Sequence, residues 1–370
     1  MVDAPLINRR RHALERKSLR NLDHGCAMTR LIIQIPCLNE AETIAATIAA
    51  LPKTIAGVDE IEILIIDDGS TDGTADAAKA AGAHHVVSNG GNRGLAQSFQ
   101  RGLDAALRLG ADIIVNTDGD NQYHGADVEA LVRPILENRA DIVVGDRQTE
   151  TVVHFSPLKK KLQKAGSGLV SALANAEIAD AVSGFRAFSR DAAMGVTVRS
   201  SFSYTTETLI QAGRRRMRIA SVPIRTNKVE RPSRLFRSIP HFLVRTGRTM
   251  LRAYAMYEPL KIFAVAGLLL MLAGAVPVAR FIIHYLAGDG SGMIQSLIIG
   301  GVLMMIGAIS AMFALLADLV AYNRQLLELT LERVRRIEYA LDAQKAPPKK
   351  RLPIEKLREE LKALRIRAEG

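Results

Sequence analysis

Between residues 31 and 146 short β-branched and aliphatic runs alternate with alanine-rich stretches. The runs are Leu31–Ile35, Ile61–Ile66, His85–Ser88, Ile113–Asn116 and Ile142–Gly145, and their length and composition predict strands. The stretches at about 40–51, 72–82, 94–109 and 125–138 predict helices. Strands alternating with helices in this way are the signature of βαβ units and a mostly parallel sheet. Downstream the pattern changes twice. Leu235, Phe236, Ile239, Phe242, Leu243, Met250, Leu251 and Tyr254 mark one side of a helix, and Arg237, His241, Arg245, Arg248 and Arg252 the other. Such a helix, bent or split at Pro240, suits a membrane interface. Ile262–Ala279 then carries no polar side chain, and Leu297–Ala317 only Ser310. At ~1.5 Å per residue each run, with its flanks, can cross ~30 Å of hydrocarbon.

Five segments follow: a basic arm at 1–30, an α/β domain at 31–232, juxtamembrane amphipathic helices at 233–260, two transmembrane helices at 261–322, and a charged helical tail at 323–370. The arm lacks the apolar core of a secretory signal and reads as appended. Either the natural start lies at Met28, or the arm is a loose tether to anionic lipid. In the tail, Leu326, Leu327, Leu331, Val334, Ile337 and Leu341 form an apolar stripe, which suits either an oligomer contact or a helix lying on the membrane surface.

Charge sharpens this division. The net charge of +11 conceals 8 Lys and Arg against 19 Asp and Glu in 31–150, and 20 against 6 in 151–261. An acidic half suggests a site for a cation or polar ligand, and a basic segment running into apolar helices suggests an anionic lipid or phosphate partner. Nucleic acid fits less well, because the basic stretch ends at the apolar runs. Lys261 precedes the first span, Arg324 follows the second, and Ala287–Gly292 between them has no Lys or Arg. The positive-inside rule places both termini in the cytoplasm, most simply at a bacterial inner membrane. Cys26 and Cys37 then face a reducing compartment, where a disulfide is not expected.

Ligands of open α/β sheets gather at the carboxyl ends of the strands. Here those ends read Pro36-Cys-Leu-Asn-Glu40, Asp67-Asp-Gly-Ser-Thr-Asp72, Asn89-Gly-Gly-Asn-Arg-Gly94, Thr117-Asp-Gly-Asp-Asn-Gln122 and Asp146-Arg147. Carboxylates crowded into one crevice repel each other unless a cation or hydrogen-bonding ligand lies between them. Asp118, Asp120 and Gln122 alternate along an extended segment and so share a face. Hard oxygen donors of this kind suit Mg²⁺ or Mn²⁺. Asp72 is also placed to cap the following helix, and Gly102 to let a helix approach the sheet.

These strand ends, with Asp180-Ala-Val-Ser-Gly-Phe-Arg186 and Val222-Pro-Ile224, resemble the family 2 glycosyltransferases of the GT-A fold, and among them the polyprenyl-phosphate, dolichol-phosphate mannose synthase-like enzymes. The resemblance spans about 31–320. It implies a Rossmann-like GT-A domain followed by interfacial helices and a transmembrane hairpin. It further implies a nucleotide-sugar donor bound by Pro36, Leu38, Asn39, Glu40, Asp67, Asp68, Arg93 and Gly94. Mg²⁺ or Mn²⁺ would sit on Asp118, Asp120 and Gln122, and an acceptor phosphate on Arg147, Ser183 and Arg186. Asp118, Asp120, Arg147 and Arg186 would be the catalytic set. The implied reaction is inverting transfer of a hexose, from GDP-mannose or a UDP-glucose type donor, to undecaprenyl or dolichyl phosphate. The protein would lie in the membrane, without nucleic acid, and is open to forming a homo-oligomer.

Other readings compete. A membrane transferase could instead use a lipid or polysaccharide hydroxyl, and a membrane-anchored binding protein could keep the fold without turnover. A processive synthase with a Gln-x-x-Arg-Trp motif is excluded by the absence of Trp. A haloacid-dehalogenase-like phosphatase would place its Asp-x-Asp nearer the N-terminus. A dinucleotide dehydrogenase would need Gly-x-Gly-x-x-Gly after the first strand, which is missing.

Overall fold

The computed structural model describes residues 28–148, 157–198, 204–227, 258–288 and 294–345. The basic arm before Met28, including Cys26, and the amphipathic stretch 228–257 lie outside the described residues.

Seven strands form one sheet: β1 Arg30–Cys37, β2 Glu60–Asp67, β3 His85–Ser88, β4 Ile113–Asn116, β5 Ile142–Asp146, β6 Arg186–Ser189 and β7 Ile219–Pro223, in the order β3-β2-β1-β4-β6-β5-β7. The five expected strands are all present. Their apolar runs are continuous because both faces of the sheet are covered. Ile32, Leu64, Ile66 and Ile114 enter one core layer, while Leu31, Ile33, Ile35, Ile65 and Val115 enter the other. Helix α3 (Leu95–Arg108) fills the first layer with Phe99, Leu103 and Ala106. Helices α1 (Ile44–Ala49) and α4 (Val128–Leu136) fill the second with Ile44, Ile48, Val128, Leu131 and Val132. Helix α2 (Thr74–Ala80) joins β2 to β3 and adds Ala78 to that layer.

Strand β6 is the exception to the parallel pattern. It runs antiparallel between β4 and β5, with Arg186 beside both Asn116 and Val144. Its first residue therefore lies at the edge where the parallel strands end, and so do Ser183, Gly184 and Phe185 just before it. Beyond α5 (Pro157–Ala174) and α6 (Arg190–Gly195), helix α7 (Tyr204–Arg214) brings Tyr204 to the same edge. Gly102 of α3 packs on the sheet as expected: a Cβ there would lie 2.5 Å from Gln34 Oε1.

Two helices follow, α8 (Pro259–Leu286) and α9 (Ile294–Lys345), and both are long and apolar enough to cross a membrane. Their large apolar side chains point outward: Val276 is 71% exposed and Val320 69%. The pair packs backbone to backbone at two levels. A Cβ on Gly267 would lie 2.7 Å from Gly307 O, and one on Gly274 2.7 Å from Gly300 O. Small residues at such crossings are what van der Waals contact between apolar helices requires.

Helix α9 does not end with its apolar stretch. It is one uninterrupted helix of 52 residues, and its last turns lie against the α/β domain. Arg108 pairs with Glu338 at 2.7 Å, Arg335 with Asp104 at 3.6 Å, Arg336 with Asp191 at 3.0 Å, and Arg215 with Glu332. Arg335 also donates to Thr197 Oγ1 at 3.2 Å. Tyr339 is 4% exposed, belongs to the α3 core layer and donates to Asp104. The polar side of the helix thus holds the chain's own domain, a contact the sequence reading does not anticipate, while Leu327, Val334, Ile337 and Leu341 of the apolar stripe face outward. The ion pairs are partly exposed and individually weak, so the buried tyrosine ring dominates. Tyr339→Ala is expected to cost about 3 kcal/mol at this contact. Hydrogen exchange should then accelerate across residues 328–345 and stay unchanged over 297–317; unchanged exchange in both would refute the clamp.

Candidate active site

The loop after β4 carries the two acidic side chains that the sequence singles out. Asn121 holds a left-handed conformation, φ 56°, and Asp120 Oδ1 accepts the Gln122 backbone N–H at 3.0 Å. Thr43, just before α1, and Thr47 within it both donate their hydroxyls to Gly119 O, at 2.8 and 3.1 Å. Beneath the loop, Asn116 Nδ2 donates to Gly184 O at 2.8 Å, Gln34 Nε2 donates to Asn116 Oδ1 at 2.9 Å, and the Gly184 N–H donates to the Tyr123 hydroxyl at 3.1 Å. Gly184 is thus held at both ends, directly below Asp118. A Cβ on it would lie 3.2 Å from each Asp118 carboxylate oxygen and 2.7 Å from the Tyr204 hydroxyl. Stacking of Tyr123 on Phe185 at 5.0 Å and of Tyr204 on Phe99 at 4.2 Å stiffens this floor.

Burial, and after it the charge of Asp120, pushes the Asp118 carboxyl up to about 7; Glu40 adds to the rise and Arg147 opposes it. Asp118 and Asp120 therefore share one electrostatic environment in which their negative charge is undercompensated. The donor set fits a divalent cation on that ground. Among the described residues no group of three or more His, Cys, Asp or Glu could hold a metal, so a cation here would take further oxygens from a bound ligand or water. That sharing is typical of Mg²⁺ and Mn²⁺.

The first three strand ends lock together. Asn39, also left-handed (φ 54°), accepts the Thr71 N–H at 2.9 Å and donates its own N–H to Ser70. Glu40 N–H donates to Thr74 Oγ1, and Thr43 Oγ1 lies 3.1 Å from Glu40 Oε2. Asp72 accepts from the backbone N–H groups of Ala41 and Thr74, tying two loops together; the N-cap of α2 is Gly73, not Asp72 as the sequence suggests. Asp67 accepts from Ser70 N–H and the Ser88 hydroxyl. Asp68 accepts from Asn89 Nδ2 at 2.7 Å, Arg93 N–H at 2.9 Å and Gly94 N–H at 2.8 Å. Both aspartates are buried. In this structure they shape the crevice by fixing its loops, and Arg93 and Leu38 lie nearer its open side. Pro36 and Cys37 are buried strand residues. Burial, reinforced by Glu40, Asp67 and Asp118, raises the Cys37 thiol pKa.

The basic residues divide. Arg147 forms a bidentate pair with Asp180, Nε to Oδ2 at 2.6 Å and Nη2 to Oδ1 at 3.0 Å. Burial acts to lower its pKa, but Asp180, Tyr123 and Asp118 raise it overall, and its side chain keeps 15% exposure. Burial by itself would raise the Asp180 pKa, yet the Arg147 fork holds it below the usual carboxylate range. Arg186 is different. It is fully buried, and its guanidinium donates to the carbonyls of Ser183, Thr205 and Ala181 and to Thr208 Oγ1. Burial pushes its pKa down to about 10, still a cation at neutral pH. The fork expected to face an acceptor phosphate is instead turned inward, knitting the β6 entry to α7. Ser183 Oγ is also fully buried and makes no hydrogen bond among the described residues.

Comparison with known proteins gives the family. Residues 32–196 match glycosyl transferase family 2. An uncharacterized protein of Methanocaldococcus jannaschii is 30% identical over 204 residues, 53% of this chain and 81% of that protein. The chain belongs to glycosyl transferase family 2. An undecaprenyl-phosphate mannosyltransferase of Micrococcus luteus is 26% identical over 205 residues, 53% of this chain and 82% of its relative. The crystal structure of glucosyl-3-phosphoglycerate synthase from Mycobacterium tuberculosis, with Mn²⁺, uridine diphosphate and phosphoglyceric acid, overlays with TM-score 0.47 at 24% identity, covering 61% of this chain and 78% of the other.

In this family 2 glycosyltransferase three buried groups that motif reading alone did not assign, Gly184, Tyr123 and Tyr204, form the floor beneath Asp118. The signal for Gly184 lay within Asp180–Arg186, but only the antiparallel β6 brings it under the loop. Tyr204 is supplied by a helix some 90 residues downstream of Asn116, whose side chain it meets at 3.4 Å.

Proposed function

We propose that this glycosyltransferase moves a hexose, with inversion, from a nucleotide-sugar to the phosphate of a polyprenyl lipid. The observation that carries this reading is the α9 clamp: the domain bearing the crevice is fastened to a hairpin of membrane-spanning length and composition. A site so tethered suits an acceptor that lives in the bilayer. The named activity of the Micrococcus luteus relative points the same way. The charge flanks, Lys261 and Arg324, favour cytoplasmic termini and a crevice on the cytoplasmic side.

Asp118, Asp120 and Gln122 would hold Mg²⁺ or Mn²⁺ beside the donor diphosphate. Held by these residues, such an ion would supply Lewis acidity that offsets charge on a departing nucleoside diphosphate. Glu40, Asn39, Leu38 and Arg93 border the donor side, and Asp67 and Asp68 keep the loops in place. Arg147 meets the acceptor phosphate, its plane fixed by Asp180. Arg186 contributes by holding Ser183 and Ala181 in position. A phosphate acceptor is already ionised near neutral pH, so attack on the anomeric carbon requires no general base.

Membranes containing the protein, incubated with labelled GDP-mannose, UDP-glucose and UDP-N-acetylglucosamine in parallel, should yield a chloroform-soluble product from one of them. The label should be released by mild acid, as a glycosyl phosphate is. An acid-stable glycoside would move the acceptor to a hydroxyl, and the absence of any labelled product from all donors would overturn the proposal.

A further inference from the structure

The loop that carries Asp118 and Asp120 has an unfavourable task. It must carry two acidic side chains two residues apart, Asp118 and Asp120, with Asn121 in a left-handed conformation, and an isolated loop would relax out of that conformation. Something outside it must hold it. On one side the Thr43 and Thr47 hydroxyls grip Gly119 O. On the other side the ties come from three consecutive residues beyond β7. Asn227 N–H donates to Gln122 O at 2.8 Å, and the Asn227 side-chain amide donates to Asn121 O at 2.9 Å and reaches Tyr123 O at 3.5 Å. Thr226 forms a β-bridge with Tyr123, and Arg225 O accepts the His124 N–H. Arg225 itself pairs with Asp127, which lies past the loop, through Nε and Nη2.

We infer that Asn227 is a positioning residue for the cation: its side-chain amide, gripping the carbonyl of Asn121 between Asp120 and Gln122, sets the direction in which those two side chains point. Resting on the metal reading above, this goes beyond the residues that would touch the ion. The amide is suited to the task because it is neutral: a cationic donor in its place would compete for Asp120. The backbone N–H of residue 227 survives any substitution except Pro, so the register with Gln122 is preserved when the side chain changes. Only the hold on Asn121 and Tyr123 is lost. Asp at 227 keeps the size and removes the donor, placing a carboxylate against two carbonyls; Ala removes both.

The test is Mn²⁺ binding to the purified full-length protein, followed by the electron paramagnetic resonance of free Mn²⁺, with and without GDP or UDP. Asn227→Asp and Asn227→Ala should each weaken Mn²⁺ affinity about tenfold or more, the usual cost of removing a group that orients a metal ligand. The Mn²⁺ concentration for half-maximal transfer should rise in step, while the KM for donor at saturating Mn²⁺ changes little. Arg225→Ala is the control: it breaks the neighbouring tie to Asp127 and lowers thermal stability, but leaves Mn²⁺ affinity within about twofold, because no carbonyl of the acidic loop is released. Asn227 variants that bind Mn²⁺ as wild type does would overturn the inference, as would an Arg225→Ala variant that loses affinity equally, since both outcomes would reduce Asn227 to general structural support. A wild-type protein that binds no Mn²⁺ in any of these conditions would overturn the metal reading itself, a failure recognisable because it needs no variant.

Discussion

Replacing Asp120 by Asn is expected to lower sugar transfer about 10³-fold, ~4 kcal/mol of barrier, while leaving the protein folded. The change isolates charge from shape. Asp120 makes one described hydrogen bond, accepting the Gln122 N–H, and an Asn oxygen can accept it equally well. The loop should therefore keep its conformation. What disappears is one of the two carboxylates that would draw a divalent cation to this edge, and with it the charge that adds to the effect of burial in raising Asp118. Two readouts follow with opposite signs. Transfer activity falls and the Mn²⁺ requirement rises, whereas the melting temperature of the metal-free protein stays level or increases, because a like-charge contact has been removed. Activity within tenfold of wild type at ordinary Mn²⁺ would remove Asp120 from the cation site.

Replacing Arg186 by Met should do the reverse: the fold suffers first. Three carbonyls and the Thr208 hydroxyl lose their buried donor, and each such loss costs about 1–3 kcal/mol. Relief of the guanidinium's own desolvation offsets part of this. A net loss of about 3 kcal/mol corresponds to roughly 10 °C in melting temperature for a domain of this size. Thermal unfolding in detergent measures it. A variant that melts like wild type but no longer uses the acceptor would show that Arg186 reaches the substrate after all. Arg147→Met provides the contrast, since it removes the guanidinium fork from Asp180 at a position where part of the side chain is exposed.

The difference between these two arginines shows where sequence reading stops. Both follow carboxylate-rich or glycine-containing motifs, and both suit a phosphate by chemistry. Nothing in the chain order says that Arg186 opens a strand running against its neighbours, so that its side chain points into the packing between β6 and α7. The same antiparallel strand places Gly184 under Asp118. A short run such as Arg-Ala-Phe-Ser carries too little periodicity to announce a strand, because its burial comes from flanking strands contributed by distant segments.

The parallel strands were legible for the opposite reason. Buried on both faces, they need unbroken apolar runs, and the chain shows them plainly. The acidic strand ends, the two apolar helices and the charge contrast between the halves were likewise local properties of composition. The tail was legible in type but not in partner: a charged helix with an apolar stripe admits several docking surfaces, and it was the buried ring of Tyr339 with Arg335 and Glu338 that selected the chain's own domain.

Sequence by itself thus determined the parallel α/β layers, the acidic edge that could attract a cation, and a hairpin apolar enough for a bilayer, because each depends on residues close together in the chain. Tertiary structure alone decided which arginine is turned into the core, what lies beneath Asp118, and how the last helix is fastened. Those outcomes depend on side chains that meet only after segments tens to hundreds of residues apart have packed, and the free energy of such contacts is not written in any local pattern.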